Sequence, residues 1–133
     1  NDDLKVESFR VDHGGLEESY GFKFTSADKV IVFSGDTGVS ETLEKYAQDA
    51  DILVHEVYSY AGFLNKTPDW QKYHKGHHTS TLELGEIAKR VKPKKLVLSH
   101  ILFWGSSPDD IYKEISSVYD GETIIAKDLM VIE

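Results

Sequence analysis

Apolar and polar residues alternate in the first part of the chain, as they do in half-buried β-strands. Alternating runs cover Leu4–Val11 and Tyr20–Thr25. The turn Ser26–Lys29 joins the second run to a mostly apolar run, Val30–Ser34. This pattern predicts a β-hairpin whose second strand is buried.

Further apolar runs and helical periodicities follow along the chain. The apolar runs Asp51–Val57 and Lys95–Ser99 predict buried strands. The predicted helices run from Ser40 as N-cap to about Ala47, from Thr79 or Ser80 to Val91, and from Pro108 to about Tyr119. Short strands are expected at Thr123–Ala126 and Leu129–Ile132. The alternation of strands and helices favours a single α/β domain over residues 1–133.

Residues Tyr58–Gly76 show no clear period, and we interpret them as a long loop with short helical turns. Loops of this length are usually functional, often as lids or pocket walls. The aromatic residues Phe103 and Trp104 follow the last long strand, so we expect them to contact substrate at a site. For any single aromatic residue, a place in the core is the favoured alternative.

The composition is that of an ordinary globular domain, with 40% hydrophobic and 29% charged residues among 133. The net charge of −8 argues against broad binding to nucleic acid or anionic membrane, which needs a basic surface. The sequence shows no signal peptide and no bilayer-spanning run, so no membrane partner is expected. The compartment stays open, with the cytoplasm favoured over export. The first residue is Asn1, so we expect the N-terminus to have been cut, processed or left out.

The chain has no cysteine, which excludes disulfides, thiolate metal sites and a cysteine nucleophile. Its six histidines and its excess of carboxylates leave one metal chemistry open, that of nitrogen and oxygen ligands. Such ligands suit zinc, manganese or iron.

Ligand-type side chains follow the predicted strands: His13, Asp36, Glu56 and His100 each come at or near a strand end. Because ligands in α/β proteins bind outside the carboxyl ends of strands, we expect one shared site. The pair His77–His78 precedes the helix that begins at Thr79 or Ser80. The positive end of that helix favours neutral imidazoles with an acid–base role. The alternatives are a capping role for Asp36, a solvent-exposed turn for His13 and a structural role for Glu56.

These motifs resemble those of the metallo-β-lactamase-fold hydrolases, and among them the ribonuclease Z-like branch. His13 in VDHGG, Asp36 in FSGDTG and His100 in LVLSH are similar to the family's third, fourth and fifth metal motifs. Glu56 in VHEVY and His78 in HHTST look like the branch's acidic residue and its partner histidine. The resemblance implies His13, Asp36 and His100 as ligands of two metal ions, zinc or else manganese or iron. It implies Asp36 as the bridging residue, and Glu56 with His78 as the groups that transfer a proton to the leaving group.

The resemblance also implies a fold and a reaction. The family fold is a four-layer αββα sandwich, and the chain resembles its C-terminal half, a mixed sheet with helices on one face. A metal-bridged hydroxide would hydrolyse a small phosphodiester or a related ester. Nucleic acid is disfavoured as a substrate, because no long basic arm lies between His13 and Asp36 and the net charge is negative.

The family's first metal motif, His-x-His-x-Asp-His, is not found in the chain, so the activity of the isolated chain is left open. The uncovered face of the sheet would need the N-terminal half of the fold or a partner chain, a homodimer included. A non-catalytic half-domain that binds a partner through this face is therefore the second hypothesis. A third hypothesis is a local zinc site formed by His74, His77 and His78.

Overall fold

One mixed β-sheet of six strands organises residues 3–133, the part of the chain that the computed structural model describes. The strands are β1 (Lys5–Arg10), β2 (Tyr20–Thr25), β3 (Val30–Phe33), β4 (Ile52–Tyr58), β5 (Lys95–Leu102) and β6 (Thr123–Ile125). The helices are α1 (Glu41–Ala47), α2 (Tyr60–Leu64), α3 (Pro68–His77), α4 (Thr81–Val91) and α5 (Pro108–Ser116).

The strands lie in the sheet in chain order, from β1 to β6. The pairs β1–β2 and β2–β3 are antiparallel, whereas β3, β4, β5 and β6 pair in parallel. The predicted α/β fold with a mixed sheet is therefore confirmed. The parallel part brings the ends of β3, β4 and β5 to one edge, where ligand sites of α/β sheets form.

Helix α4 lies at the centre of the core on one face of the sheet. It begins with a capping box, in which the Ser80 side chain accepts a hydrogen bond from the Glu83 backbone and the Glu83 carboxylate accepts one from the Ser80 backbone. The helix buries Leu84, Ile87 and Val91 in a cluster with apolar residues of the sheet and of α1 and α5. Each such side chain contributes about 1.5–3 kcal/mol through burial.

The other face of the sheet exposes large apolar side chains. Phe22 of β2 pairs with Phe33 of β3, and each side chain is 42% exposed. Val6 of β1 is 51% exposed. Among residues 3–133, this apolar strip is therefore left largely without a covering layer.

The prediction of a long loop over Tyr58–Gly76 was wrong, because α2 and α3 occupy most of it. Helix α3 has ten residues, with Thr67 as N-cap and Pro68 in its first turn, where proline is well tolerated. None of its residues is buried, so it has no core-facing stripe for a periodicity to reveal. Within residues 3–133, every helix is too short or too polar to traverse a lipid bilayer.

The strand predicted at Leu129–Ile132 was also wrong, because these residues follow a turn in which Met130 donates to the Lys127 carbonyl oxygen. Strand β6 remains the edge of the described sheet, because residues 129–132 do not pair with it. Leu129 adopts φ 63°, outside the β region. The last helix also ends at Ser116, earlier than the predicted Tyr119.

Asp51 connects the starts of three strands. Its carboxylate accepts a hydrogen bond from the Val30 backbone nitrogen at 2.7 Å and pairs with the Lys94 ammonium group at 2.6 Å. The hydrogen bond with Lys94, and then the one from Val30, lowers the pKa of Asp51. A carboxyl group with a lowered folded-state pKa stabilises the fold above its unfolded-state pKa, and this stability is lost as pH falls through the folded-state value.

We therefore expect Asp51→Asn to lower the free energy of unfolding at neutral pH, with a difference that shrinks in acid as the wild-type carboxyl group becomes protonated. Urea unfolding at a series of pH values measures this. Asp128→Asn, at an exposed position in the C-terminal turn, is the matched control. A difference between Asp51→Asn and wild type that does not change with pH would contradict the assignment.

Candidate metal centre

The structure brings five of the predicted site residues into one cluster at the edge formed by the ends of β3, β4 and β5, namely His13, Asp36, Glu56, His78 and His100. His78 Nδ1 lies 2.9 Å from Glu56 Oε1, and His100 Nδ1 lies 3.0 Å from Asp36 Oδ1. The rings of His78 and His100 are 5.9 Å apart, and the His13 ring lies 5.2 Å from that of His78. Residues from five separate segments therefore surround one small space.

Glu56 is the buried centre of this cluster. Its Oε1 accepts hydrogen bonds from the Thr37 backbone nitrogen at 3.0 Å and from His78 Nδ1. Its own backbone nitrogen donates to Ser34 Oγ at 3.1 Å. Its Oε2 is buried and has no hydrogen-bond partner within residues 3–133. Burying an unpaired carboxylate oxygen is costly, so this atom calls for a proton or a cation.

His55 precedes Glu56 but takes no part in the cluster. It is completely buried on the opposite face of β4, and its Nδ1 donates to the Glu56 carbonyl oxygen at 2.6 Å. Burial lowers the pKa of His55, so it remains neutral. The two polar residues of this strand therefore have different roles: one lies in the core and the other in the site.

His78 is held by Glu56 and lies at the C-terminal end of α3, where its backbone nitrogen donates to the His74 carbonyl oxygen at 2.8 Å. The hydrogen bond to Glu56 raises the pKa of His78, and burial opposes this only in part. The hydrogen bond to Glu56 therefore acts against the predicted effect of the next helix's N-terminus, which favours a neutral imidazole. The charge state of His78 stays a prediction.

His100 occupies a β-bulge within β5. Glu56 pairs with Ser99 and Val57 pairs with Ile101, so His100 is the extra residue between them. Its backbone adopts φ 43°, an uncommon conformation for histidine. Bulges re-aim side chains and occur next to active sites. The strand was predicted to end before His100, but pairing resumes after the bulge and continues to Leu102.

Hydrogen bonds hold the loop of His13 against the end of α3 and against the loop of Asp36. Its Nδ1 donates to the His77 carbonyl oxygen at 2.6 Å, which leaves Nε2 available. The next residue, Gly14, adopts φ 56°, and a β-carbon there would lie 2.0 Å from the His77 ring. Only glycine permits this approach. Gly38 donates to the Asp12 carbonyl oxygen at 2.6 Å, which joins this loop to the loop of Asp36.

The donor set fits a divalent metal ion. Glu56, His78 and His100 each offer one ligand atom, and these atoms lie within 4.8 Å of one another. The unpaired Glu56 Oε2 supplies the charge that such an ion needs. This trio shares only His100 with the predicted ligand set of His13, Asp36 and His100. Which residues bind the metal therefore stays a prediction.

The comparison with known families settles which fold family contains this cluster. Residues 1–101 match the family model described as the β-lactamase superfamily domain. The chain belongs to the metallo-β-lactamase-fold hydrolases. Among curated proteins it is 30% identical over 108 residues to the probable metallo-hydrolase YhfI of Bacillus subtilis. This match covers 81% of the present chain and 41% of YhfI. It is 34% identical over 124 residues to ribonuclease Z of Bacillus velezensis, covering 90% of this chain and 38% of the enzyme.

Solved structures agree with this family. The crystal structure of YhfI from Bacillus subtilis superposes with a TM-score of 0.79 at 23% identity, covering 98% of this chain and 50% of that one. The short form of human tRNase Z gives a TM-score of 0.68 at 25% identity, covering all of this chain and 43% of that one. The chain spans about two fifths of the length of the two curated relatives. Its resemblance to the ribonuclease Z-like branch is confirmed.

The alternative zinc site at His74, His77 and His78 gains no support from the geometry. Within residues 3–133, ligand atoms converge in the trio that contains Glu56 and not in these three histidines. His77 Nδ1 donates to the Tyr73 carbonyl oxygen at 2.7 Å, and the two rings stack. His77 therefore acts as a support for the loops of this metallo-β-lactamase-fold chain.

Phe103 and Trp104 point in different directions. Phe103 packs against the hydrophobic core. The Trp104 ring lies 4.4 Å from the His74 ring, with the Lys66 ammonium group 4.8 Å from its centroid. Both stay predictions as substrate contacts. Trp104 reaches the site only through His74, whose ring lies 5.9 Å from that of His78.

Several residues outside the sequence predictions hold the cluster in place. Thr37 donates its backbone N–H to Glu56, and the Thr79 hydroxyl donates to the Thr37 carbonyl oxygen at 2.8 Å. Ser34 Oγ accepts from the Glu56 backbone. These contacts join segments far apart in sequence, mostly through backbone atoms, so residue types alone gave no signal.

We expect Glu56→Gln to lower the pKa of His78 in metal-free protein, because the hydrogen bond to this carboxylate is the largest cause of the raised pKa. NMR titration of the imidazole resonances measures it. Glu86→Gln, on the exposed side of α4, is the control and should leave the pKa of His78 unchanged. An unchanged pKa in Glu56→Gln would mean that Glu56 does not hold His78 in solution.

Proposed function

We propose that this chain forms the C-terminal part of a metal-dependent hydrolase of small phosphodiesters or related esters. The observation that carries the proposal is the buried Glu56–His78 hydrogen bond beside an unpaired Glu56 Oε2. The names of the relatives support the reaction class, since they include a metallo-hydrolase and ribonuclease Z. A solved neighbour of 20% identity, named a diphosphatase from the PhnP family, has the same fold.

In this proposal His13, Asp36 and His100 hold two divalent ions, zinc or else manganese or iron, in the complete site. Nitrogen and oxygen donors suit these ions. Bound ions of this kind lower the pKa of water and polarise a phosphoryl oxygen. Asp36 also orients His100, because the two side chains are 3.0 Å apart.

Glu56 and His78 handle the proton. Glu56 accepts the Nδ1 proton of His78, so Nε2 is the atom available to protonate a leaving oxygen. The hydrogen bond raises the pKa of His78, which keeps the ring protonated to higher pH. Thr37 holds Glu56 in place through its backbone N–H.

The surroundings favour a small substrate. A cavity of about 370 Å³ lies beside the cluster, lined by Glu56, Asp36 and His100 on one side and by aromatic residues of the open sheet face on the other. The loop from His13 to β2 is short, and the chain carries a net charge of −8. A long nucleic acid would need a basic surface that these features do not offer.

We expect Asp36→Ala to abolish metal binding and to lower turnover by more than about a hundredfold, since removal of even an outer-shell partner typically costs 10–100-fold. Elemental analysis measures metal binding, and hydrolysis of bis(p-nitrophenyl) phosphate measures turnover. The comparison uses a wild-type protein that binds its full metal complement. Asp128→Ala is the matched control. Retained activity in Asp36→Ala would overturn the proposal.

A second candidate function is non-catalytic binding of another β-sheet through the open face. One observation favours it: Val6, Phe22 and Phe33 are exposed on the same face of three adjacent strands. The covering sheet would come from the N-terminal half of the fold or from a second copy of the chain. The solved relatives, of which this chain covers about half, are long enough to supply such a half.

If a second copy covers this face, the chain self-associates, and the double variant Phe22→Ser with Phe33→Ser becomes monomeric. Sedimentation velocity measures this, with circular dichroism as the test of folding. Tyr112→Ser, at an exposed aromatic residue of α5, should leave association unchanged. A monomeric wild-type chain would exclude the second copy as the covering sheet.

A further inference from the structure

An aromatic stripe runs along helix α3 and ends at the metal centre. Trp70, Tyr73, His74 and His77 share one face of the helix, at spacings of three and four residues. The stripe reaches the cluster through His74 and His77. The His74 ring lies 5.9 Å from the His78 ring, and the His77 ring lies 5.3 Å from the His13 ring. The stripe thus connects exposed aromatic rings to the site histidines.

The two outer rings are held in fixed positions. Trp70 stacks on His74 with ring centroids 5.3 Å apart, and Tyr73 stacks on His77 at 3.9 Å. Trp104 packs against His74 at 4.4 Å and so supports the stack from behind. Pre-organised rings bind a flat partner at a low entropic cost.

These rings remain exposed, although they are large and apolar. Trp70 is 55% exposed and Tyr73 is 48% exposed. None of the residues of α3 is buried, so the stripe does not anchor the helix to the core. The cation Lys66 lies against Trp104 beside the stripe, in a chain that is otherwise acidic. Stacking surfaces next to a cation are complementary to an aromatic anion.

We propose that Trp70 and Tyr73, whose rings stand at 87° with centroids 5.7 Å apart, form an aromatic subsite for the planar ring of a phosphoester whose phosphate lies at the His78 cluster. The ligand ring stacks on one of the two side chains and meets the other edge-on. The substrate class is then a nucleotide-like or aryl phosphoester. This inference rests on the proposed hydrolase function, since it places the phosphate at that site. The subsite selects the ring, and the metal centre acts on the phosphate.

The two tryptophans of the chain, Trp70 and Trp104, both contact His74, so intrinsic tryptophan fluorescence reports on this subsite alone. The probes are adenosine 5′-monophosphate and ribose 5-phosphate, which differ in the aromatic base. We expect the nucleotide to quench the fluorescence and to bind about tenfold more tightly than the sugar phosphate, the size of a modest stacking contribution.

Calorimetry with the double variant Trp70→Leu and Tyr73→Leu tests which residues are responsible. Its affinity for adenosine 5′-monophosphate should fall to that for ribose 5-phosphate, while Tyr112→Leu on α5 keeps the tenfold preference. Equal affinities in wild type, no binding of the nucleotide, or the same loss in the control would overturn the subsite. So would dissociation of an oligomer in the double variant, because the stripe would then be a protein contact.

The subsite and the hydrolase fail in distinguishable ways. Metal-dependent hydrolysis of phosphodiesters without a preference for the base would overturn the subsite and leave the proposed function standing. Base-dependent binding without metal uptake or hydrolysis would overturn the proposed function instead.

Discussion

The burial of one carboxylate, that of Glu56, is the constraint on which the site depends. A charged oxygen in the interior is tolerated only when other groups satisfy it. The Thr37 backbone and His78 satisfy Oε1, and Oε2 is buried without a hydrogen-bond partner in the described chain. Because burying this unpaired carboxylate oxygen costs free energy, binding of a cation or a proton to it is favourable. The stability of β4 and the chemistry of the site are therefore coupled through one side chain.

The parallel half of the sheet makes this burial possible. Glu56 lies near the end of β4, between the bulge in β5 and the loop of residues 34–37 that follows β3, so a strand shields it on one side and this loop on the other. Hydrogen bonds to backbone carbonyl oxygens then join the loops of His13, Asp36 and His78. The Gly38 backbone nitrogen donates one and the Thr79 hydroxyl donates the other. Because these ties use main-chain atoms, the cluster is fixed by chain geometry more than by side-chain pairs, as the rigid positioning of catalytic groups requires.

Local pattern predicted the parts of the fold that local energetics decide. The strands up to Ser99 follow from alternation and apolar runs, and the start of α4 follows from its serine cap. Helix α3 could not be found this way, since its aromatic residues stack on one another and not on a core. The bulge at His100 also has no local signal, because it arises from the register between β4 and β5. The positions at strand ends predicted which side chains lie together in the cluster. Which of them bind a metal depends on the orientation of their ligand atoms, and the bulge and the loops set that orientation.

The open sheet face and the site share a boundary, so the two candidate functions are not independent. Glu56 lies on the same face of β4 as Val54, and the cavity beside it is lined by Phe22 and Phe33. A sheet that covered these apolar side chains would also close one side of the cluster. Asp36 and His100 are about half exposed in this chain, where water weakens their interaction. Removing that water would strengthen every charge interaction in the site, so whatever covers the apolar face also completes the site.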